Sequence, residues 1–341
     1  MNERDLIEYI RQLSGSAANS GIVQGIGDDC AVVEKDQETV WLLTMDTLIE
    51  SVHFDCSWHP PQLLGKKAVA VNASDIAAMG GRPVFALLSL GLPASFDTLW
   101  AKQLNQGISQ ACQRYGCLLI GGDTVCSPER ISLTLTVIGE MKREDVLYRH
   151  TAQPGDTVWV SGPLGLSAAG LSLLQAEKNQ EHPEQHDPAW QRLIQAHLDP
   201  QARIGLAQVL AQSGLVHGMM DLSDGLATDL AHLCEQSGVG AKIRAEQIPG
   251  RDILLSAAEF LGQKEYPWMI AGGEDYELLF TAPSAVSKDL MQLATTNEYS
   301  IYPVGRIVEG QGVTLLKNRE RDCGLADENI SFRGYDHFKQ S

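Results

Sequence analysis

Apolar residues recur with two different spacings along the first 145 residues. Short runs rich in Val, Leu, Ile and Thr, each bounded by Gly, Pro or Asp, favour strands. Longer stretches with apolar residues three or four positions apart, closed by glycine, favour helices. The predicted strands are 37–46, 84–93, 117–123 and 131–140, and the predicted helices are 60–81 and 97–116.

A turn-rich junction, AQPGD at 152–156, separates this series from a second one. The second series again alternates strand-like and helix-like segments. It predicts strands at 157–162, 241–246 and 276–283, a short strand running into MMDLSDG, and a closing β segment. It also predicts a helix that starts near 166 and helices at 201–214, 226–238, 251–262 and 285–296.

The alternation of strands and helices predicts a mixed α/β (α+β) fold in two domains. At about 150 residues per domain, a chain of 341 residues fits two. We place the boundary just before the junction, so that the domains are 1–145 and 146–341. The polar segment 177–189 is expected to be a solvated loop.

The chain carries a formal net charge of −17. Such a charge argues against non-specific binding to nucleic acid, and it would repel an anionic ligand. Bound divalent cations would reverse that sign locally. No window is long and apolar enough to cross a membrane, and the charged N-terminal stretch does not resemble a signal peptide. We therefore expect neither a nucleic-acid partner nor a membrane partner.

The cysteines are odd in number and form no CxxC pair. Several of them lie in apolar runs, which favours reduced thiols in a cytoplasmic protein over a disulfide framework or a zinc site. The seven cysteines are at positions 30, 56, 112, 117, 126, 234 and 323.

Acidic residues next to glycine mark the ends of several predicted elements. Strand ends are where α/β folds hold their ligands. Asp75 differs because it lies on the apolar stripe of the predicted helix 60–81, where an unpaired carboxylate is costly. For any single acid a capping or turn role is an alternative, but the whole set favours a ligand site. The acids at element ends are Asp28, Asp29, Asp46, Asp123, Asp221, Asp224, Glu274 and Asp275.

Oxygen ligands without cysteine suit hard cations, above all Mg²⁺. Phosphoryl transfer is the chemistry that most depends on such ions. The usual nucleotide motifs are absent from the sequence: no GxxxxGK[ST] occurs, and GIGDDC at 25–30 has Cys30 where GxGxxG has its last glycine. If ATP binds to this chain, it binds through another architecture.

Six motifs follow one another along the chain. Together they are highly specific, although DLSDG or GGD alone would be weak. On these motifs the chain resembles the thiamine-monophosphate kinase family, within the aminoimidazole-ribonucleotide-synthetase superfamily of ATP-dependent enzymes, from about residue 3 to residue 338. The motifs are GIGDDCAV, NASDIAAMGGRP, LIGGDT, DLSDGL, GGEDYELLF and GYDHF.

The resemblance implies a fold, a reaction and an assembly. The N-terminal sheet would form a barrel with the sheet of a dimer mate, and a second α/β domain would pack against it. The γ-phosphoryl group of ATP would pass to the phosphate of thiamine monophosphate, giving thiamine diphosphate in the last step of its biosynthesis. Several Mg²⁺ ions would lie with ATP between the domains. The acceptor phosphate is mostly deprotonated at pH 7, so we predict a direct, in-line transfer in which no side chain acts as a catalytic base or nucleophile.

The resemblance also implies roles for individual residues. Asp28 adjoins the first metal site. The acceptor phosphate would contact His53, and Glu274 and Phe332 would line the acceptor pocket. The residues implied to bind ATP are Gly122, Asp123, Arg149 and Ser223. The implied metal ligands are Asp29, Thr44, Met45, Asp46, Asp75, Asp123, Asp221 and Asp224.

Three positions depart from the pattern of the family. Met45 stands where threonine is common; a metal contact through its backbone oxygen would survive the change, whereas one through a hydroxyl would be lost. Ser51 stands where glycine is common. Phe332 replaces a frequent tryptophan and keeps an aromatic face, which we expect to stack on the rings of thiamine.

Plainer roles are open for several of these residues. His53, Phe332 and Tyr335 could serve in packing or at the surface, and Arg149 could be an interdomain surface charge. The glycine-rich segment 161–170 could hold a phosphate at a helix start, or its glycines could simply allow close packing.

Two other functions compete with the kinase. One is another enzyme of the superfamily: aminoimidazole ribonucleotide synthetase, selenophosphate synthetase or a hydrogenase-maturation factor. The pair GGEDYELLF and GYDHF argues against these, and no reactive N-terminal Cys or Sec stands in a glycine-rich loop as a selenophosphate synthetase would need. The other, which Met45 leaves open, is a non-catalytic regulator that binds Mg²⁺ or nucleotide. ATP turnover with and without thiamine monophosphate distinguishes them.

Overall fold

The computed structural model describes residues 3–14, 21–178, 188–316 and 327–335. They form two β-sheets, one in each half of the chain, with helices packed against them, so the predicted mixed α/β fold is confirmed. Most of the polar segment 177–189, Cys323 and the last three residues of GYDHF lie outside the described residues.

Among the described residues, the first half of the chain builds an open six-stranded sheet and three α-helices. In chain order the elements are α1 (Glu3–Leu13), β1 (Ile22–Gln24), β2 (Ala31–Glu34), β3 (Thr39–Ile49), α2 (Pro61–Ala78), β4 (Arg82–Pro93), α3 (Thr98–Tyr115), β5 (Leu118–Ser127) and β6 (Ser132–Lys142).

The N-terminal sheet has the strand order β1-β2-β3-β6-β4-β5 and is antiparallel except between β4 and β5. Alternate residues of β3 and β6 are buried because α2 packs on one face of the sheet. At the far edge, β5 exposes apolar side chains on both of its faces. The sheet does not close on itself within one chain. The exposed apolar residues of β5 are Leu118, Leu119, Ile120 and Val125.

The second half of the chain builds a seven-stranded sheet flanked by helices. In chain order the elements are β7 (Asp156–Val160), α4 (Leu166–Lys178), α5 (Pro188–Leu198), α6 (Ile204–Ser213), β8 (Gly218–Asp221), α7 (Leu226–Ser237), β9 (Gly240–Arg244), α8 (Arg251–Leu261), α9 (Glu265–Ala271), β10 (Leu278–Pro283), α10 (Ser287–Thr296), β11 (Tyr302–Val308), β12 (Gly312–Leu316) and β13 (Glu328–Asn329).

The C-terminal sheet has the strand order β13-β12-β9-β11-β7-β10-β8. Its pairs are antiparallel except between β9 and β12. Both sheets are thus mixed, and the site described below lies where β8, at one edge of this sheet, meets the N-terminal half.

Helix α2 lies between the two halves. It contacts β3, β6 and α3 of the first half and β8, α5 and α6 of the second. Leu64 and Ile76 belong to the N-terminal core, whereas Ala77 packs into a core formed mainly by residues of the second half. A helix that is buried on most sides has no solvent face for its polar residues, so each of them needs a partner inside the protein.

Most of the predicted elements are present in the structure. The helix predicted at 97–116 runs from Thr98 to Tyr115; Asp97 caps its start, and Gly116, in the left-handed conformation, ends it. The sequence pattern does not predict α5, which follows directly on a polar segment, or α9, which has only seven residues and contains Pro267. In the described part of the chain, no helix is both long and apolar enough to span a membrane.

Candidate active site

Three carboxylates from distant parts of the chain meet between the two halves. Asp29 precedes β2, Asp75 lies in the last turn of α2, and Asp221 ends β8. Each offers a ligand atom, and these atoms all lie within 4.8 Å of one another. Because the first two residues come from one half and the third from the other, this acid cluster (Asp29, Asp75 and Asp221) exists only when the halves are docked.

Hydroxyl groups hold two of these carboxylates in place. Thr44 Oγ1 donates a hydrogen bond to Asp75 Oδ2 at 2.5 Å. Ser74 Oγ donates to Asp221 Oδ2 at 2.6 Å, and this bond joins α2 to β8. Thr44 is one of the residues implied by the family resemblance. Ser74 is not, although it directly precedes Asp75 in the sequence.

Burial and mutual repulsion raise the pKa values of these carboxyls. Burial is the largest cause of the raised pKa at Asp29, Asp75 and Asp221, and neighbouring carboxylates add to it at Asp29 and Asp75. Asp46 has a pKa raised to about 6, by burial first and then by the charge of Asp221. So much negative charge in a buried space is disfavoured unless a cation shares it.

Arg149 supplies positive charge to this region. Its Nη2 lies 2.5 Å from Asp29 Oδ1, and its Nε lies 3.3 Å from Asp28 Oδ1. Its backbone N–H also donates to Asp28 Oδ2 at 3.3 Å. These contacts explain how two acids can stand side by side in GIGDD, because one guanidinium offsets both charges.

The acid cluster has the chemistry of a divalent cation site. Asp29 Oδ2 is buried and has no hydrogen-bond partner among the described residues, so it has a lone pair to offer a ligand. The donor atoms are carboxylate oxygens, which hard cations prefer. The residues present therefore fit a Mg²⁺ ion.

The strand β3 presents Thr44 and Asp46 on the face toward α2. Asp46 N–H donates to Asn72 Oδ1 of α2 at 3.0 Å. Side chains alternate along a strand, so Met45 points to the other face, where it is 63% exposed. Any contact from Met45 to the acid cluster would therefore be made by its backbone, and the missing hydroxyl at this position costs the cluster nothing.

Gly122 and Asp123 lie apart from the acid cluster within one chain. Both are exposed on β5. In the sheet register Gly122 lies opposite Leu88, Leu88 opposite Leu135, and Leu135 opposite Asp46. Gly122 and Asp46 are therefore three strand spacings apart, which is about 14 Å. A single chain therefore does not bring Gly122 and Asp123 to the carboxylates.

A buried acid, Asp229, fixes the DLSDG loop. Its carboxylate lies in the first turn of α7 and accepts the N–H groups of Asp224 at 3.1 Å and Gly225 at 3.0 Å. Ser223 and Asp224 are thereby held, half-buried, just before the start of α7, where the helix dipole favours an anion. The family resemblance implies no role for Asp229, and its only signal in the sequence is an acid within the apolar stretch LATDLAHL.

His53 and Phe332, two of the residues implied to bind the acceptor, contact residues that do not belong to the acid cluster. His53 follows β3, and its Nδ1 accepts the N–H of Ile49 at 3.0 Å. The ring of Phe332 meets His232 edge-on, with centroids 5.2 Å apart, and the Arg4 guanidinium lies 3.8 Å from its centroid. One face of Phe332 therefore already carries a cation, which is the kind of group that we expect it to bind.

The third acceptor residue, Glu274, lies between the halves. Its carboxylate contacts Lys67 of α2 and His197 of α5. Its backbone N–H donates to the carbonyl of Ser223 at 2.7 Å, so it is tied to the DLSDG loop. Of the three residues implied to bind the acceptor, Glu274 has the most direct connection with the metal-site elements.

The glycine-rich segment 161–170 packs closely and does not present a phosphate site. The carboxylate of Asp275 accepts the N–H groups of Gly165 at 2.6 Å and Ser167 at 3.2 Å at the start of α4. A phosphate would need these same groups. A Cβ atom at Gly165 would lie 2.7 Å from the backbone nitrogen of Met269, so close approach of the chain accounts for this glycine.

Family models match both halves of the chain. AIR synthase related protein, N-terminal domain, matches residues 27–141, and AIR synthase related protein, C-terminal domain, matches residues 153–318. The thiamine-monophosphate kinase of Aquifex aeolicus is 38% identical over 84% of this chain and 88% of its own length. The protein of that name from Bacillus subtilis is 33% identical over 99% of this chain and 100% of its own.

Solved structures match the chain over nearly its whole length. AaThiL complexed with AMPPCP and TMP has a TM-score of 0.83 and 35% sequence identity, covering 99% of this chain and 97% of that one. Thiamine-monophosphate kinase from Stenotrophomonas maltophilia has a TM-score of 0.74 and 34% identity, covering 91% of this chain and 95% of its own. A HypE–HypF complex has a TM-score of 0.71 at 19% identity, which is a likeness of fold alone.

Proposed function

We propose that this chain, which belongs to the thiamine-monophosphate kinase family of AIR synthase related proteins, transfers the γ-phosphoryl group of ATP to thiamine monophosphate. The products are ADP and thiamine diphosphate, and the reaction is the last step of thiamine diphosphate biosynthesis. The observation that carries the proposal is the meeting of Asp29, Asp75 and Asp221 between the halves. Relatives of that name span the chain, and the similar AaThiL was solved with AMPPCP and TMP.

We propose Mg²⁺ as the cation of the acid cluster, with several ions bound during the reaction. Asp29, Asp75 and Asp221 would hold it, together with the implied ligands on β3 and in the DLSDG loop, whereas the implied ligand Asp123 lies apart on β5 within one chain. When bound there, Mg²⁺ would neutralise phosphate charge, which two anionic substrates need in a chain of net charge −17.

Arg149 and the start of α7 would hold the ATP phosphates. The guanidinium of Arg149 can donate two parallel hydrogen bonds to a phosphate; in the structure its Nη2 donates to Asp29, and its Nε is buried without a hydrogen-bond partner among the described residues. Ser223 lies just before α7, where the helix dipole favours the same anion. These residues bind and orient the donor; none of them takes part in bond making.

The acceptor needs no general base. Its phosphate has a second pKa of about 6, so it is mostly deprotonated at neutral pH and can attack directly. His53 would donate a hydrogen bond to that phosphate, and Glu274 and Phe332 would bind the rings of thiamine. The acids would serve as metal ligands rather than as nucleophiles, and the transfer would be direct and in line.

We propose that the protein is a homodimer joined through β5. This edge strand has apolar residues exposed on both faces, and open edges are normally paired or covered. Pairing across β5 would close the two N-terminal sheets into a barrel. It would also let Gly122 and Asp123 of one chain reach the site of the other.

We propose a cytoplasmic location from the thiols. The six cysteines in the described residues are free, and four of them are buried. Reduced cysteines of this kind are typical of a reducing compartment. We also propose the division into domains 1–145 and 146–341, which rests on the turn-rich junction at 152–156.

The decisive experiment measures ADP and thiamine diphosphate formed from ATP, Mg²⁺ and thiamine monophosphate by the purified protein. Thiamine without its phosphate serves as the control acceptor and should give no diphosphate. ATP turnover that ignores thiamine monophosphate would point to another enzyme of the superfamily. Absence of any turnover, with ATP still bound, would favour the regulator.

A second experiment tests direct transfer. The protein is incubated with γ-labelled ATP and Mg²⁺ but without acceptor, then quenched and separated from nucleotide. We expect no stoichiometric label on the protein, and inversion of configuration at a chiral γ-phosphorus in the full reaction. A labelled protein that passes its phosphate to thiamine monophosphate would replace direct transfer with a covalent route.

A further inference from the structure

A fully buried lysine lies beside the acceptor residue Glu274. Lys67 is in the second turn of α2, and its exposed fraction is 0%. A buried ammonium group is rare and needs a counter-charge. Lys67 Nζ lies 3.0 Å from both carboxylate oxygens of Glu274, which supply that charge across the boundary between the halves.

Two neighbouring histidines do not share the positive charge. His197 Nδ1 lies 3.2 Å from Glu274 Oε2, and His59 Nε2 lies 3.2 Å from the carbonyl oxygen of Leu198. Burial, followed by the charge of Lys67, lowers the pKa of both rings, to about 3 at His59. Both histidines are therefore neutral near pH 7, and Lys67 and Glu274 form the charged pair of this cluster.

Glu274 has a backbone conformation that a side-chain-bearing residue rarely adopts. Its φ is +65°, and that of Tyr276 is +51°. Such a conformation persists only where the surrounding contacts determine it. The N–H groups of Glu274 and Tyr276 donate to the carbonyls of Ser223 and Leu222. The Lys67 ion pair holds the side-chain end of the same segment.

The carboxylate of Glu274 keeps capacity for a ligand. Its side chain is 25% exposed, whereas that of Lys67 is 0% exposed. Burial would raise the pKa of Glu274, but Lys67 and His197 outweigh it and hold that pKa below its ordinary value. The group therefore stays ionised, as an acceptor of hydrogen bonds with lone pairs left for a donor on the substrate.

We propose that Lys67 is a positioning residue for the acceptor site. Its ammonium holds the ionised Glu274 carboxylate against α2, the helix that carries Asp75 two turns further on, and Lys67 does not touch the substrate itself. The helix α2 thereby sets the distance between the acceptor residue and the acid cluster. This inference rests on the proposed function, because that function assigns Glu274 to the acceptor.

The test compares Lys67→Met with Lys66→Met, a control at the preceding position. Steady-state kinetics give KM for thiamine monophosphate and for ATP, and urea unfolding gives stability. We expect Lys67→Met to raise KM for thiamine monophosphate by about tenfold or more, which corresponds to the loss of one hydrogen bond to a charged group. The KM of Lys67→Met for ATP should stay within about twofold of the wild-type value. The same holds for the KM values of Lys66→Met for thiamine monophosphate and for ATP. A Lys67→Met protein with an unchanged KM for thiamine monophosphate overturns the inference.

A double variant separates positioning from packing. Lys67→Met alone leaves the partly buried Glu274 carboxylate without its partner and should lower the urea midpoint. Lys67→Met combined with Glu274→Gln removes both charges and should recover much of that midpoint. The KM for thiamine monophosphate should stay raised, because the contact from Glu274 is lost. Recovery of KM together with stability would make Lys67 a packing residue only.

Failure of the proposed function would be recognised separately. A wild-type protein that phosphorylates no thiamine monophosphate defeats the function whatever the variants do. Amide hydrogen exchange at residues 273–276 then tests the tie to Lys67 without substrate. Faster exchange in Lys67→Met than in Lys66→Met supports the positioning role, and equal exchange in the two variants overturns it.

Discussion

At the scale of single residues, Asp75 works against the stability of the metal-free protein. Burial and the nearby carboxylates raise its pKa, so its ionised form is disfavoured. We expect Asp75→Asn to raise the free energy of unfolding in EDTA by about 1–3 kcal/mol. We also expect it to lower kcat by about 10²–10³-fold, since a charge that would hold the metal is lost. Thermal unfolding with EDTA and with Mg²⁺, together with turnover, measures both effects.

Asp252→Asn is the matched control for this prediction, because Asp252 is exposed on α8. Mg²⁺ should raise the Tm of wild type and of the control but have little effect on Asp75→Asn. A near-normal kcat for Asp75→Asn at saturating Mg²⁺ would exclude the proposed role.

Because His59 is buried and neutral, we expect the protein to lose stability in mild acid. Burial lowers its pKa in the folded protein from 6.5 to about 3. Below pH 6.5 the unfolded chain therefore takes up a proton that the folded protein excludes, and stability falls as the pH falls through this window. Replacing His59 with Gln should reduce the slope of unfolding free energy against pH by about 1 kcal/mol per pH unit between pH 5 and pH 6.

Urea unfolding at several pH values measures that slope for wild type, His59→Gln and His150→Gln. His150→Gln is the control variant, because it exchanges an exposed histidine for the same residue. Parallel curves for wild type and His59→Gln would contradict a buried, neutral histidine.

Local pattern reveals some residues of the site and hides others. Asp75 can be singled out from the sequence because a carboxylate on an apolar helical stripe needs an explanation. Lys67 cannot be singled out in this way, because two adjacent lysines, Lys66 and Lys67, are typical of a solvent-exposed part of a helix. Its partner Glu274 is 207 residues away along the chain, a separation that no local pattern spans.

At the scale of elements, Asp229 predicts how firmly the DLSDG loop is held. Its buried carboxylate accepts the N–H groups of Asp224 and Gly225. Replacing Asp229 with Ala leaves both donors without this partner, and we expect a loss of about 2 kcal/mol in unfolding free energy and a lower kcat/KM for ATP. Chemical unfolding and steady-state kinetics measure the two effects.

The isosteric change Asp229→Asn controls for this loss. Burial raises the pKa of Asp229 well above its ordinary value, so a neutral acceptor of the same shape suits the site. The Asn variant should keep most of the stability and activity. Equal damage in the Ala and Asn variants would show that the charge is needed, and not only the two hydrogen bonds.

Elements with a clear period and a clear end are predictable from the sequence. The helix α3 has a capping Asp97 and a closing Gly116, and its bounds are found almost to the residue. The helix α9 is short and contains Pro267, so its propensity is low, and it exists because Trp268 and Met269 pack into the C-terminal core. Tertiary packing of this kind leaves no periodic trace in seven residues.

At the scale of the whole molecule, the exposed edge strand β5 leads us to expect a homodimer. Ile120 is 56% exposed on this edge strand. A lysine at this position should leave the single chain folded but should break a dimer that pairs through β5, because a charge would be buried in the contact. Sedimentation velocity should show a dimer for wild type and a monomer for Ile120→Lys.

Leu255→Lys is the control for the assembly, because Leu255 is 44% exposed on α8, in the second half of the chain. It should sediment as wild type does. A fully active wild-type monomer at assay concentration, or an Ile120→Lys protein that still dimerises, would rule out this interface.

The position of α2 between the halves has a consequence for the order in which the protein is made. Lys67 and Ser74 leave the ribosome 207 and 147 residues before their partners Glu274 and Asp221. At about 5–20 residues per second, Lys67 waits roughly 10–40 s for its counter-charge. During synthesis the nascent first half therefore carries a helix with an uncovered apolar face, and we expect this to be the stage at which the chain most needs a chaperone.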